Sequence, residues 1–179
     1  MKVKLLCSAL LIGLMVGPAM ASVVVNLVPQ DTIVAIGSGP FMVDIVADIP
    51  EAEAIAGWGM DLSVLDTLVA DKTGTVAIGA DWTAAPSMDG DGLAGLAFTT
   101  PVFGNGIVLA SVQFMPVGLG TTGLAMGDDS PTDVTEGFAL FPSGFASVQY
   151  GTGSITVVVP EPATLTLLAL GGLALIRRR

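Results

Sequence analysis

Carboxylates are the only abundant ionisable groups in residues 22–159, and their oxygens could bind a cation. The segment 89–92 reads Asp-Gly-Asp-Gly, and alternate aspartates in such a turn suit a hard cation that binds six to eight oxygens. We therefore name Asp89 and Asp91 as a candidate calcium site. The segment lacks most of an EF-hand loop, since Thr100 stands where the closing glutamate belongs, and a polar turn between two strands is the simpler interpretation.

A second acidic loop surrounds Pro131 and contains Asp128, Asp129, Asp133 and Glu136. The same two interpretations apply, and here the sequence favours a solvated loop over a cation site.

Two tryptophans could contact a ligand through their rings. Trp82 lies in a stretch rich in glycine and alanine and is the better candidate of the two for an exposed platform on which a sugar stacks, although burial against a loop is slightly favoured. Trp58 alternates with apolar residues and is expected in the core.

Few residues of this chain could support catalysis. Residues 22–159 contain no histidine and no cysteine, which excludes histidine-based triads, thiolate chemistry and the usual zinc shells. A pair of carboxylates could still cleave glycosides, but no pair is distinguished from the others by its sequence context. We predict no catalytic residues, no enzyme activity and no cofactor other than the candidate calcium.

The charge balance restricts the partners. Residues 22–159 carry fifteen acidic residues and one basic residue, Lys72, a net charge of −14. Such a surface repels nucleic acids and anionic lipid head groups. It favours calcium, a basic protein partner or simple solubility.

The elements that must position these residues are short strands. Apolar and polar residues alternate in runs that Gly, Pro, Asp or Asn interrupt, which is typical of an antiparallel sandwich. The predicted strands are 23–28, 32–36, 41–48, 57–64, 93–98, 106–115, 122–126, 146–150 and 154–159. About nine strands without helical crossovers predict an all-β antiparallel sandwich or jelly roll over residues 22–159.

The N-terminus has the features of a secretory signal peptide. Lys2 and Lys4 precede an apolar run over 5–16, and Ala19 and Ala21 supply the small residues that signal peptidase needs. The run is shorter than the ~20 residues that span a bilayer, so we predict a removable helix, 1–21, rather than an anchor.

The order of the strands resembles the cohesin-like family, a jelly roll of the carbohydrate-binding-module type. The resemblance lies in 27–29 with 34–37 and 41–45, in 55–63, and in 107–114 leading into 118–122. It implies the fold but no ligand. Cohesins hold dockerin modules, so a dockerin-like partner on one flat face is one implied alternative. Gly59, Asp61 and Ser63, and the strand Gly106–Met115, are where we would look for that face.

The C-terminus, 160–179, resembles a PEP-CTERM sorting signal. The resemblance rests on the motif Val159, Pro160, Glu161 and Pro162, the apolar run 163–176, and Arg177, Arg178 and Arg179. The run would reach only ~21 Å as a helix, which suits a transient membrane segment better than a permanent span. The resemblance implies processing by an exosortase in a Gram-negative bacterium that makes extracellular polysaccharide.

These features predict an exported, non-catalytic protein of the cell envelope, cell surface or extracellular matrix. Its sandwich is expected to bind polysaccharide or a surface protein, and its C-terminal helix to cross the inner membrane transiently. A domain that binds or cleaves carbohydrate remains an alternative. It would require a row of exposed aromatic side chains, or two carboxylates ~5–9 Å apart in a groove.

Overall fold

The computed structural model describes residues 22–128 and 133–160. This part of the chain contains thirteen β-strands and one short 3-10 turn at Glu51–Glu53. The strands are β1 (Val23–Pro29), β2 (Ile33–Ala35), β3 (Phe41–Ile49), β4 (Ile55–Gly59), β5 (Asp61–Val64), β6 (Ala70–Ile78), β7 (Thr83–Ala84), β8 (Ala94–Leu96), β9 (Gly104–Pro116), β10 (Gly120–Gly127), β11 (Gly137–Leu140), β12 (Val148–Tyr150) and β13 (Thr152–Val158). Neither described range holds a helix long and apolar enough to cross a membrane.

The strands form three sheets, which we call A, B and C. Sheet A has the order β12-β1-β3-β9-β6, sheet B the order β2-β13-β10-β5, and sheet C the order β11-β4-β8-β7. The all-β sandwich is confirmed. Two pairings are parallel, β1 with β12 and β13 with β2, which corrects the expectation of a purely antiparallel fold. Each of these pairings involves a three-residue strand, β12 or β2, at the edge of its sheet.

Period-two patterning places the core as the sequence predicts. In β3 the side chains of Phe41, Val43 and Ile45 are buried, whereas those between them are only partly buried. Phe41 stacks on Phe114 of the neighbouring strand β9, with ring centroids 5.9 Å apart. Burying one such side chain contributes about 1.5–3 kcal/mol to folding. The core therefore lies between the sheets and needs no disulfide.

The strand count exceeds the prediction of about nine. The predicted strand 57–64 is divided at Met60, so that β4 pairs within sheet C and β5 within sheet B. The backbone N–H of Met60 donates to the carbonyl of Leu93. Strands β6, β7 and β11 were not predicted. Residues 71–75 of β6 are all exposed at the edge of sheet A, and an exposed strand shows no apolar alternation.

The predictions for the two ends lie outside the described residues. They comprise the signal peptide 1–21 with Ala19 and Ala21, the hydrophobic targeting helices at both ends, and the sorting residues Glu161, Pro162, Arg177, Arg178 and Arg179. The structure describes Val159 and Pro160, which follow β13, and it places the side chain of Val159 at the surface.

Candidate partner-binding groove and acidic cluster

An apolar groove crosses the outward face of sheet C. Cross-strand register puts Gly57, Leu96 and Ala139 on this face, while Trp58 and Phe138 point to the other face and are buried. The cavity has a volume of about 280 Å³. Its walls include Pro86, Val134 and Phe145. Small residues on the strands and larger apolar residues around them thus form a concave surface that an apolar side chain fits.

Two glycines of β4 shape this groove. A Cβ atom on Gly57 would lie 2.7 Å from Cδ2 of Leu96, which packs over the strand. A Cβ atom on Gly59 would overlap the carbonyl oxygen of Thr135. Glycine at position 59 therefore allows the loop 133–136 to cross the end of β4 and form one wall of the groove.

Hydrogen bonds hold this wall in place. Oδ1 of Asp133 accepts from the backbone N–H and the hydroxyl of Thr135, at 2.7 and 2.6 Å. The hydroxyl oxygen of Thr135 accepts from the backbone N–H of Met88, at 3.1 Å. The last bond connects the groove wall to the loop that carries the acidic turn 89–92.

Four exposed phenylalanines surround the start of β4, close to the groove. They are Phe98, Phe103, Phe141 and Phe145, each at least half exposed. The backbone N–H of Phe141 donates to the carbonyl of Ala54, and Val102, beside Phe103, bridges to Ile55. Aromatic rings exposed around one segment favour contact with another molecule.

The acidic turn meets a third carboxylate. Oxygens of Asp61, Asp89 and Asp91 all lie within 4.8 Å of one another. The turn uses Gly90 and Gly92 with φ of +77° and +78°, the left-handed region that favours glycine. The predicted calcium residues are thus brought together, and the first residue of β5 joins them. Three carboxylates at this separation offer a hard cation three oxygen ligands.

Asp91 is the most constrained of the three. Its Oδ1 accepts from the backbone N–H of Leu93, at 2.7 Å, and from the hydroxyl of Ser87, at 3.3 Å. Its Oδ2 is buried without a hydrogen-bond partner among the residues that the structure describes. Burial raises the pKa of Asp91, the bond from Leu93 opposes the rise, and the charge of Asp89 adds to it.

The second acidic loop is less solvated than the sequence predicts. Asp133 and Glu136 are buried, because this loop folds over sheet C. The hydroxyl of Tyr150 donates to Oδ2 of Asp128, at 2.7 Å. Burial, the bond to Asp128 and the charges of Asp128, Glu136 and Asp61 raise the pKa of Tyr150. Asp129 lies outside the described residues.

Trp82 is buried, which agrees with the alternative of burial against a loop and leaves no exposed platform at this residue. A turn after β6 returns the chain beneath β9, where Nε1 of Trp82 donates to the carbonyl of Val108, at 3.2 Å. Its ring meets the ring of Trp58 edge to face, with centroids 6.2 Å apart. Both tryptophans therefore belong to the core, and the exposed phenylalanines were the aromatic residues that sequence reasoning missed.

The two places named for a docking face differ in accessibility. Gly59 is covered by the loop 133–136, and Asp61 joins the acidic cluster. Ser63 is exposed, and its hydroxyl donates to the carbonyl of Ala125. The strand Gly106–Met115 lies within β9, which β3 and β6 flank in sheet A. The groove on sheet C was not predicted, because its floor joins residues from three separate strands.

Comparison with known proteins identifies the C-terminus. Residues 158–179 match the PEP-CTERM protein-sorting motif. This motif indicates export and association with the cell surface in Gram-negative bacteria. No curated protein matches the chain.

Solved structures identify the fold. The sandwich is similar to a non-cellulosomal cohesin from the hyperthermophilic archaeon Archaeoglobus fulgidus, with 14% identity and a TM-score of 0.58 over 82% of this chain and 98% of that one. It is also similar to the cohesin module of a family 33 glycoside hydrolase from Clostridium perfringens, with 9% identity and a TM-score of 0.56 over 78% and 100% of the two chains. The chain thus combines a β-sandwich of the cohesin fold with a C-terminal PEP-CTERM sorting motif.

Proposed function

We propose that this chain is a non-catalytic binding protein that is exported, cut by an exosortase at its Pro-Glu-Pro motif, and left in the cell envelope or extracellular matrix. Support comes from the sorting motif over 158–179 and from a signal-like N-terminus. Before the cut, the apolar run 163–176 holds the precursor at the inner membrane. After the cut, the sandwich remains as the binding domain.

The groove on sheet C is the site that we propose for the partner. Its concave apolar surface, with exposed Leu96 and Phe145 around a floor of small residues, is the observation that carries this proposal. The acidic cluster lies close by, because Thr135 of the groove wall bonds to Met88 beside the acidic turn. A protein segment with apolar side chains flanked by lysine or arginine complements both features.

The domain itself provides a matched pair of variants for testing this site. Leu96 in the groove and Met115 on sheet A have the same exposed fraction, 40%. Leu96→Asp should abolish the capture of proteins from the native secretome by the immobilised domain, whereas Met115→Asp should leave capture unchanged. Capture should also weaken with added salt, which screens the attraction to a basic partner. The opposite pattern, loss with Met115→Asp alone, would move the site to sheet A.

A polysaccharide ligand is the second candidate, and the four exposed phenylalanines favour it. Among the described residues that line the groove, Glu136 is the only carboxylate, whereas glycoside cleavage needs a pair, so we propose binding without cleavage. Polysaccharide binding would survive protease treatment of the secretome and would be insensitive to salt. Replacing Phe141 and Phe145 with alanine should then abolish it.

We also propose that calcium binds at Asp61, Asp89 and Asp91. The convergence of three carboxylates in a domain of net charge −14 supports this site, because a cation relieves their mutual repulsion. A ligand that binds only the folded state stabilises it by about 2.7 kcal/mol at a hundred times its Kd.

The calcium site is tested by thermal unfolding. The melting temperature should rise more with calcium than with sodium chloride at the same ionic strength. Sodium chloride is the control, because salt screening alone also relieves repulsion. Asp89→Asn with Asp91→Asn, and separately Asp61→Asn, should abolish this increment while keeping the shapes of the side chains. An increment that all variants retain would mean that calcium acts elsewhere or by screening.

A further inference from the structure

Two hydrogen-bonded loops outside the groove carry four exposed apolar side chains, which we call the exit-end cluster. They are Leu65, Leu68, Val117 and Leu119, each more than half exposed. Two loops supply them, and the backbone N–H groups of Val117 and Gly118 both donate to the carbonyl of Val69, at 2.9 and 3.1 Å. The cluster is therefore a fixed part of the fold.

The chain leaves the sandwich next to this cluster. Strand β13 runs antiparallel to β10 with Val157 opposite Gly120, so Val158 and Val159 continue past Leu119. Val159 is itself more than half exposed. Only two residues separate Pro160 from the apolar run 163–176, and Cα atoms three residues apart are at most ~11 Å apart.

The acidic cluster lies at the other ends of the same strands. Strand β5 begins at Asp61 of the acidic cluster, and Leu65 follows its last residue. Strand β10 begins directly after Leu119, and Asp128 follows its last residue, eight strand residues or about 27 Å further on. The exit-end cluster and the acidic cluster thus lie at opposite ends of the sandwich.

We propose that the exit-end cluster rests on the lipid surface while the C-terminal run holds the precursor at the membrane. This inference depends on the tethering in the proposed function. The attraction is apolar rather than electrostatic, because Asp66 and Asp71 remain at this end and repel anionic head groups. A tether of two residues supplies the high effective concentration that four side chains need. The groove and the acidic cluster then face away from the bilayer.

Single labelled cysteines in the full chain test this orientation. The chain carries Cys7→Ser, which leaves the introduced cysteine as the only one, and is placed in phosphatidylcholine vesicles with brominated acyl chains. Leu68→Cys and Val134→Cys form a matched pair, with exposed fractions of 78% and 77% in the parent. Ala169→Cys reports whether the tail is in the membrane. A fluorescent label at position 68 should be quenched several-fold more than one at position 134.

Three outcomes would overturn the proposal. Equal quenching at positions 68 and 134, with quenching at 169, removes the orientation but leaves the tether intact. No quenching at 169 removes the tether and the orientation together. If a label at position 68 is shielded from solvent but is not quenched by the brominated acyl chains, the tail or a second copy of the chain covers the cluster. In support, Val117→Asp with Leu119→Asp should reduce quenching at position 68 to the level at 134.

Discussion

Replacing Gly59 with alanine tests how the groove is built. A Cβ atom at this position would overlap the carbonyl oxygen of Thr135 and lie 3.1 Å from Cα of Glu136. Since these are backbone atoms, the loop 133–136 must move as a whole. The bonds from Thr135 to Asp133 and from Met88 to Thr135 resist that movement.

The magnitude follows from two opposing effects. Exchanging glycine for alanine restricts the unfolded chain and by itself stabilises a protein by about 0.4–1 kcal/mol. Forcing an extra methyl group into a packed site costs about 1–3 kcal/mol. Gly127 is the matched control, because a Cβ atom there meets nothing within 4 Å. The unfolded-state effect cancels between the two variants, so Gly59→Ala should be less stable than Gly127→Ala by about 1–3 kcal/mol.

Urea unfolding measures this difference as a lower midpoint at an unchanged slope. Partner capture should also fall with Gly59→Ala, because the displaced loop is a wall of the groove, and should not fall with Gly127→Ala. If Gly59→Ala proved as stable as Gly127→Ala, the loop 133–136 would not lie over β4, and the groove as described would not exist.

Two other substitutions test the acidic turn and the core. Burial raises the pKa of Asp91, so its folded state favours the protonated form; the ionised carboxylate lowers stability at neutral pH, and this loss disappears as the pH falls towards the ordinary value of 3.8. In the presence of a chelator, Asp91→Asn should therefore raise the urea midpoint near neutral pH and lose that advantage in acid. Trp82→Phe removes the donor to Val108 and should lower the free energy of unfolding by about 1–3 kcal/mol, without changing polysaccharide binding.

Most of the fold was predicted from the alternation of apolar and polar residues along the strands. Strands such as β3 bury one face, and that burial forces the alternation that a sequence displays. Strand β6 has five consecutive exposed residues, so no alternation marks it. The division of 57–64 at Met60 was equally hidden, because the apolar pattern continues through the point where the chain passes from sheet C to sheet B.

The candidate sites were predictable only where one segment supplies them. The turn 89–92 is recognisable in the sequence because two aspartates alternate with two glycines. Asp61 lies 28 residues before Asp89, and only the tertiary fold brings it to the turn. A usable signal existed, since Asp61 alternates with apolar residues and was named with Gly59 and Ser63 as part of a candidate docking face. The sequence left Trp82 open between exposure and burial, because a stretch rich in glycine and alanine resembles an exposed loop even when it folds beneath β9.

The bond from Met88 to Thr135 links the two proposed sites physically. Met88 precedes the acidic turn, and Thr135 lies in the wall of the groove, so the two loops share one hydrogen bond. A cation that fixes the turn would restrict the wall, and a partner that orders the wall would restrict the turn. Coupling between two ligands is reciprocal, so calcium and the partner should change each other's affinity by the same factor. Ordering of the two loops favours both ligands, whereas neutralisation of the acidic cluster by calcium weakens its attraction for a basic partner. The groove and the acidic cluster would then act as one binding surface with two ligands.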